Sequence, residues 1–217
     1  MKLAIFDLDN TLLGGDSDYL WGQFMCDQGI VERAAFEQEN QQFFRQYQDG
    51  SLDIRAFLAF QLRPLAQYDP ALLYAWREQY LSDTIQPIML PKAHILLEEH
   101  RAQGHTLLIM TSTNRFITGP IATLFGVEHL LATEVEMRGG RYTGNVEGLP
   151  CFREGKVTRL EEWLKQNQLE VHESWFYSDS HNDLPLLAKV THPVAVDPDE
   201  TLARHARASQ WPIISLR

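Results

Sequence analysis

Residues 6–12 read FDLDNTL, two aspartates one residue apart directly after a short apolar run at residues 3–6. An uninterrupted apolar run of this length predicts a buried strand, here ending at Asp7. Ligands of open parallel α/β sheets bind at the carboxyl ends of the strands. Buried carboxylates are costly unless they are paired, hydrogen-bonded or bound to metal. An exposed acidic turn would give the same local pattern, so the rest of the chain has to decide between the two interpretations.

Composition limits the classes of protein that the 217 residues can form. The apolar fraction of 44% is ample for a hydrophobic core. A formal net charge of −10 argues against a broad nucleic-acid interface, although a small anion in a locally positive pocket remains compatible with it. Cys26 and Cys151 lie far apart, which favours reduced thiols and a cytoplasmic protein. No apolar run approaches the roughly 20 residues of a membrane span.

The segment between residues 14 and 87 is predicted to be helical and to contain no strand. Its apolar residues recur at helical spacing, and Asp, Ser, Gly and Pro residues mark the helix ends. The pattern predicts a small helical bundle inserted after the first strand, in a core made of residues 1–13 and 88–217. The four predicted helices cover residues 19–28, 33–47, 53–63 and 70–80.

From residue 88 onward, predicted strands alternate with predicted helices. Helical connections of 10 to 15 residues imply right-handed crossovers and a mainly parallel sheet. A glycine-containing turn at residues 138–141 joins two of the strands as a hairpin. The sequence therefore predicts an α/β fold with a doubly wound, mainly parallel sheet. The predicted strands after the first are residues 106–110, 130–135, 142–146, 174–178, 193–196 and 211–216.

Polar side chains follow three of the predicted buried strands. Each group has a simpler interpretation: a helix cap for Thr111 and Ser112, a solvated surface for Lys156, loop acids for Asp179 and Asp183. The ordered set of acid pair, hydroxyl, lysine and acid pair nevertheless favours one site at one edge of the sheet. Its candidate members are Asp7, Asp9, Thr111, Ser112, Lys156, Asp179, Asn182 and Asp183.

These motifs resemble the haloacid dehalogenase-like (HAD) phosphatase superfamily, in particular its phosphoserine-phosphatase-like branch. The resemblance is carried by DLDNT at residues 7–11, by Thr111 and Lys156, and by SDSHND at residues 178–183. It implies a Rossmann-like core with an inserted helical cap and Mg²⁺-dependent hydrolysis of a small phosphomonoester. Haloacid dehalogenases themselves lack the second aspartate, so Asp9 points to phosphoryl transfer.

The resemblance also implies a role for each candidate residue. Asp7 would be the nucleophile and a metal ligand, forming an aspartyl-phosphate. The Asp9 side chain would act as general acid and base while its backbone carbonyl binds the metal, and Asp179 would supply the second carboxylate ligand. Thr111, the Ser112 backbone and Lys156 would hold the phosphoryl oxygens. Asn182 and Asp183 would position the phosphate, Lys156 or metal-bound water.

The substrate prediction depends on two positions in the helical segment. In phosphoserine phosphatases an acidic residue soon after the nucleophile binds the substrate amine; Asp16 occupies that position, with Asp18 as an alternative. Asp16 as a simple helix N-cap is equally compatible with the sequence. Ala59 aligns with the arginine that binds the substrate carboxylate, although a displaced arginine, Arg55 or Arg63, stays open.

An amine-binding residue without a carboxylate-binding residue fits histidinol phosphate, and phosphoserine is the second candidate. The chain also resembles HAD proteins that act as histidinol-phosphate phosphatases, in DNTLL at residues 9–13 and TNRF at residues 113–116. A non-catalytic, Mg²⁺-binding phospho-acceptor module is the alternative of another class, but such modules lack the second aspartate and the inserted helices. Transfer to an acceptor other than water is also left open.

Overall fold

The computed structural model describes residues 1–217 and contains one seven-stranded sheet in the order β4-β3-β2-β1-β5-β6-β7. All neighbouring strands pair in parallel except β3 and β4, which form an antiparallel hairpin. The predicted doubly wound, mainly parallel α/β fold is therefore confirmed. The strands are β1 (Lys2–Phe6), β2 (Thr106–Asn114), β3 (His129–Arg138), β4 (Arg141–Glu147), β5 (Glu173–Ser178), β6 (His192–Val196) and β7 (Ile213–Ile214).

Nine α-helices accompany the sheet, and the first four follow β1 directly. A π-helical turn (Leu81–Ile85) and a 3₁₀ turn (Gln86–Ile88) follow the fourth, and a second 3₁₀ turn (His181–Asp183) precedes the eighth. None of the helices is both long and apolar enough to cross a membrane. The helices are α1 (Ser17–Asp27), α2 (Arg33–Asp49), α3 (Ile54–Gln67), α4 (Pro70–Tyr80), α5 (Pro91–Ala102), α6 (Arg115–Leu124), α7 (Glu154–Gln166), α8 (Leu184–Leu187) and α9 (Glu200–Ala208).

The central strand β1 is buried on both faces of the sheet. Its side chains alternate between two hydrophobic clusters, as the pleat requires: Phe6 belongs to one and Ile5 to the other. Helices α5 and α6 pack on the first face, whereas α7, α8 and α9 pack on the second. Coverage of both faces explains why the strand is continuously apolar until Asp7.

The helices α1–α4 enter and leave the sheet at one point. Leu13 and Met89 form an isolated antiparallel bridge, and the Gly14 amide donates to the Ile88 carbonyl at 2.8 Å. This paired neck lies beside the ends predicted for the inserted segment, residues 14 and 87. Packing is continuous across it, since Trp21 and Phe6 belong to the same hydrophobic cluster. The division into core and cap therefore remains a prediction.

Several predicted boundaries were wrong, and three of them lie in α3, β2 and β7. Helix α3 continues through Pro64 to Gln67, because a buried apolar stripe that includes Leu62 and Leu65 holds the helix despite the missing backbone donor. Strand β2 continues to Asn114, which pairs with Thr133 of β3 after a register shift. The last strand is confined to Ile213–Ile214.

Candidate active site

Asp7, Lys156 and Asp183 form a buried charged triad at the carboxyl edge of the sheet. Lys156 Nζ lies 2.8 Å from an Asp7 carboxylate oxygen and 2.7 Å from one of Asp183. All three residues are at most 5% exposed. Ser178, at the end of β5, donates its hydroxyl to Asp183 at 2.7 Å. The fold therefore brings together groups from the end of β1, from α7 and from the loop after β5, and only Asp7 and Asp183 had been predicted from strand ends.

The buried environment of the triad disfavours the charged forms of its side chains. The pKa of the Asp7 carboxyl is raised to about 7, chiefly by burial; Lys156 lowers it and Asp183 raises it. Burial lowers the pKa of Lys156, but Asp183 and Asp7 raise it by more, so the amine stays charged. Burial, followed by the nearby Asp7 and Asp183, raises the pKa of Asp179 well above its ordinary value. This edge of the sheet therefore has an excess of buried negative charge.

We expect Lys156→Met to lower the free energy of unfolding by about 3–5 kcal/mol at neutral pH without divalent cations. Removing one partner of a buried ion pair leaves uncompensated buried charge, here on Asp7 and Asp183. Urea unfolding of the variant in the presence of a chelator measures the loss. The matched control is Lys165→Met, an exposed lysine in the last turn of the same helix. Equal stability of the two variants would contradict the buried triad.

The Asp9 carboxylate is held from two directions. One oxygen accepts from the Ser17 backbone amide at 2.7 Å, at the start of α1. The other accepts from the Thr113 hydroxyl at 2.8 Å and, more distantly, from Thr111 at 3.4 Å. Asn114, not Thr111 or Ser112, caps α6. The helix-cap interpretation of the two hydroxyl residues is therefore wrong, and Thr111 contacts Asp9 instead.

The turn after β1 ties Asp179 to the first motif. Asn10 adopts the left-handed conformation at φ 56°, which asparagine tolerates better than most residues. The turn places the Thr11 side chain against the loop after β5, where its hydroxyl donates to Asp179 Oδ1 at 3.3 Å and accepts from the Asp179 amide at 3.1 Å. Thr11 thus fixes Asp179 next to the end of β1.

Asn182 joins the loop after β5 to the helical segment. Its side-chain oxygen accepts a hydrogen bond from Arg153 Nε at 2.9 Å. Its side-chain nitrogen donates to the Tyr47 backbone carbonyl at 3.3 Å. Arg153 also donates to the Gly50 carbonyl, at the turn between α2 and α3. His181 Nδ1 in the same loop lies 2.8 Å from an Asp199 carboxylate oxygen. The loop therefore holds the α2–α3 turn over the aspartates.

Asp16 is the N-cap of α1, because its Oδ1 accepts from the backbone amides of Asp18 and Tyr19, both at 2.9 Å. It also lines the cavity described below, and burial together with Asp9 raises its pKa to about 7. The carboxylate-binding position was placed wrongly: Ala59 faces solvent, as do Arg55 and Arg63. The neighbouring inward-facing position of α3 is Gln61.

A cavity that is partly open to solvent lies between the aspartates and the helical segment. It encloses about 530 Å³ of empty space, including the part open to solvent, but only about 30 Å³ is accessible to the centres of water molecules, so a ligand larger than a few waters requires its walls to move apart. Its floor is acidic, its roof is aromatic and aliphatic, and it contains no lysine, arginine or histidine. The lining residues are Asp7, Asp9, Asp16, Asp18, Tyr19, Asn40, Phe43, Phe44, Tyr47, Leu52, Ile54, Phe57, Gln61, Ser112 and Thr113.

The donor set at the carboxyl edge fits a hard cation such as Mg²⁺. No group of three or more His, Cys, Asp or Glu side chains is arranged to hold a metal. Magnesium needs few carboxylates because it keeps several waters, so Asp7 and Asp179 with a backbone oxygen are a sufficient set. Burial is the main cause of the raised pKa of both carboxyls, and the nearby Asp7 raises the pKa of Asp179 further; a bound cation would offset this cost.

Sequence reasoning missed the residues that position the predicted ones. Thr113 shares a strand face with Thr111, which was already a candidate, but the predicted strand ended at residue 110 and so did not include either residue. Gln61 carried a signal, as an amide in an otherwise apolar helical stripe with Phe57 and Phe60. The contacts of Arg153 and Asn182 with the α2–α3 turn join distant segments and left no local signal.

Comparison with known proteins gives concordant matches. The model of the family described as haloacid dehalogenase-like hydrolase matches residues 4–188. A histidinol-phosphatase of Neisseria meningitidis serogroup C (strain 8013) is 43% identical, over 100% of this chain and 99% of that protein. A crystal structure of a protein of unknown function from Bordetella pertussis Tohama I is also 43% identical, with a TM-score of 0.94 over 100% of this chain and 99% of that one.

A substrate-bound phosphoserine phosphatase structure superposes with a TM-score of 0.71 at 18% identity, covering 100% of this chain and 93% of that one. At this identity the likeness shows the fold alone.

Proposed function

The chain belongs to the haloacid dehalogenase-like hydrolases and is a phosphoric monoester hydrolase, and we propose that it hydrolyses histidinol phosphate with the help of Mg²⁺. The cavity is the observation that supports this substrate, because it joins the two aspartates to an acidic and aromatic lining. The name of the Neisseria meningitidis relative supports the same substrate.

The cavity suits a leaving group that is cationic and partly aromatic. Histidinol carries an amine and an imidazole and has no carboxylate. The carboxylates of Asp16 and Asp18 favour a cationic amine, and rings such as Phe43, Phe44 and Phe57 offer faces to a planar heterocycle. Phosphoserine would bring its carboxylate into a cavity without a basic residue, where it would lie unpaired among like charges.

The proposed reaction divides the work between the two aspartates. Asp7 attacks phosphorus and forms an aspartyl-phosphate while the bond to the leaving oxygen breaks. Asp9 gives its proton to that oxygen, and the alcohol departs. Asp9 then takes a proton from the attacking water, which releases inorganic phosphate and restores Asp7. The Thr113 hydroxyl and the Ser17 amide keep the Asp9 carboxylate in place between the two steps.

Electrostatics limits the first step, because a carboxylate approaches a phosphate dianion. Each pair of like unit charges at 4 Å costs about 4 kcal/mol at an effective dielectric constant of 20. We assign Lys156 to the phosphoryl oxygens, together with the Thr111 hydroxyl and the Ser112 backbone. Mg²⁺, held by Asp7, Asp179 and the Asp9 carbonyl, would supply positive charge next to the phosphate. Asn182 and Asp183 would position these groups.

We expect catalytic efficiency, kcat/KM, to be at least about tenfold higher for histidinol phosphate than for O-phosphoserine, since only the latter leaves a buried carboxylate without a partner. Steady-state assays of both substrates, with added Mg²⁺ and with a chelator, test the proposal. Chelation should abolish turnover and Mg²⁺ should restore it. A preference for O-phosphoserine would overturn the substrate, and chelator-resistant turnover would overturn the metal.

A further inference from the structure

Hydrogen bonds around Gln61 fix the orientation of its side-chain amide, so that its oxygen, Oε1, is presented as an acceptor. The Tyr19 backbone carbonyl can only accept, so Asn40 must turn its amide nitrogen toward it, at 3.3 Å. Asn40 Oδ1 consequently accepts from Gln61 Nε2, also at 3.3 Å. This leaves Gln61 Oε1 without a partner, although the residue is only 2% exposed and lines the cavity.

The close approach of α1 and α2 shows that this arrangement is built into the packing. A Cβ at Gly22 would lie 2.8 Å from Asn40 Nδ2 and 2.6 Å from the Phe36 ring. No residue other than glycine leaves room for Asn40 to reach the Tyr19 carbonyl without displacing these neighbours. The helices therefore hold Asn40, and through it Gln61, in one orientation.

Asp18 presents a second unpartnered acceptor to the same cavity. Asn114 accepts from the Ile117 amide through its Oδ1, so its amide nitrogen is the atom that faces Asp18 Oδ1, at 3.3 Å. Asp18 Oδ2 has no partner, and the residue is 3% exposed. Buried polar atoms are nearly always hydrogen-bonded, so two unpartnered acceptors in one cavity call for a ligand that brings donors.

We propose that Gln61 Oε1 and Asp18 Oδ2 accept hydrogen bonds from two N–H groups of the substrate's leaving group, and that this pair determines specificity for nitrogen-bearing alcohols. The role of the pair rests on the proposed function, since the leaving group has to occupy this cavity. Burial, and after it the nearby Asp16 and Asp9, raises the pKa of Asp18 well above its ordinary value and so favours the protonated carboxyl; a cationic N–H group beside it would favour the ionised form, in which Oδ2 accepts.

The test compares substrates with and without N–H donors. Gln61→Met removes the acceptor Oε1 and keeps a side chain of similar length. Asp18→Asn places an amide nitrogen, which is a donor, where Asp18 offers an acceptor oxygen. For each variant we expect the ratio of kcat/KM for histidinol phosphate to kcat/KM for p-nitrophenyl phosphate to fall about tenfold, the effect of one lost hydrogen bond in a buried site. Inhibition of p-nitrophenyl phosphate hydrolysis by free histidinol should weaken by a similar factor.

The matched controls are Gln42→Met and Asp83→Asn, which alter exposed residues of the same helical segment and should leave the ratio unchanged. The ratio does not depend on the fraction of folded protein, so a destabilised variant still gives an answer. An unchanged ratio, which equal losses on both substrates would give, would overturn the role of the pair.

Failure of the proposed function gives a different result. It would show in the wild-type protein, as poor turnover of histidinol phosphate. O-phosphoethanolamine, which has an amine and no carboxylate, then replaces histidinol phosphate in the same ratio. A selective tenfold loss with it supports the pair, and an unchanged ratio overturns it.

Discussion

Asp7→Asn is expected to abolish turnover of every phosphomonoester, by at least about 10⁴-fold, the scale on which loss of a covalent nucleophile acts. Asparagine has nearly the same shape and still offers Lys156 an oxygen, but it lacks the charge needed to attack phosphorus. Initial rates with histidinol phosphate and p-nitrophenyl phosphate measure the loss. After an acid quench, phosphate should remain covalently bound to the wild-type protein and be absent from the variant.

The stability of the same variant separates lost chemistry from lost fold. Burial raises the pKa of Asp7, so its carboxylate is a costly group in the folded protein, and Lys156 keeps Asp183 as a partner after the substitution. We therefore expect Asp7→Asn to melt at or above the temperature of the wild-type protein. Substantial phosphatase activity in purified Asp7→Asn protein would eliminate the proposed nucleophile.

Asp9→Asn is expected to slow turnover of histidinol phosphate by about 10²- to 10⁴-fold, the usual contribution of a general acid or base. Both steps need Asp9 when the leaving group is an alkoxide. With p-nitrophenyl phosphate only the second step needs it, because nitrophenolate departs without a proton. Rapid-mixing measurements on the variant should show a burst of about one equivalent of nitrophenolate, followed by slow release of phosphate.

The burst distinguishes a proton carrier from a residue that merely supports the site. A general loss of structure would reduce the burst and the later turnover together. Absence of a burst in folded Asp9→Asn protein, with slow turnover of both substrates, would contradict the assigned division of labour. Asp83→Asn, an exposed aspartate in the turn after α4, controls for the change from carboxylate to amide.

The sheet and its polar edge were predictable because they follow from short-range patterns. An apolar run buried on both faces identifies β1, and chain direction in a parallel sheet then places Asp7 and Asp179 at the same edge. Lys156 was different, since one lysine at a helix start has no distinctive pattern, and it became a candidate only as a member of the ordered set. Its contact with Asp7 depends on how α7 packs across the sheet.

The substrate end of the site could not be predicted in the same way. Which side of α3 faces the aspartates is set by the packing of Leu58, Leu62 and Leu65, and a shift of two residues turns Gln61 inward and Ala59 outward. The prediction drawn from Ala59 stays a prediction, and the absence of a basic residue from the cavity lining supports it. Likewise, the extension of β2 came from pairing with β3, a long-range contact.

The neck formed by Leu13 and Met89 has a consequence for how such a protein can diversify. Because the chain leaves and rejoins the sheet through a hydrogen-bonded pair, the sheet experiences the same short closure whatever sequence lies between residues 14 and 88. Recombination at these two positions would exchange the helices as one cassette and leave Asp7 and Lys156 in place, provided that the new cassette supplies an amide to Asp9, as Ser17 does here. A lineage could thus acquire a new substrate through a single genetic event.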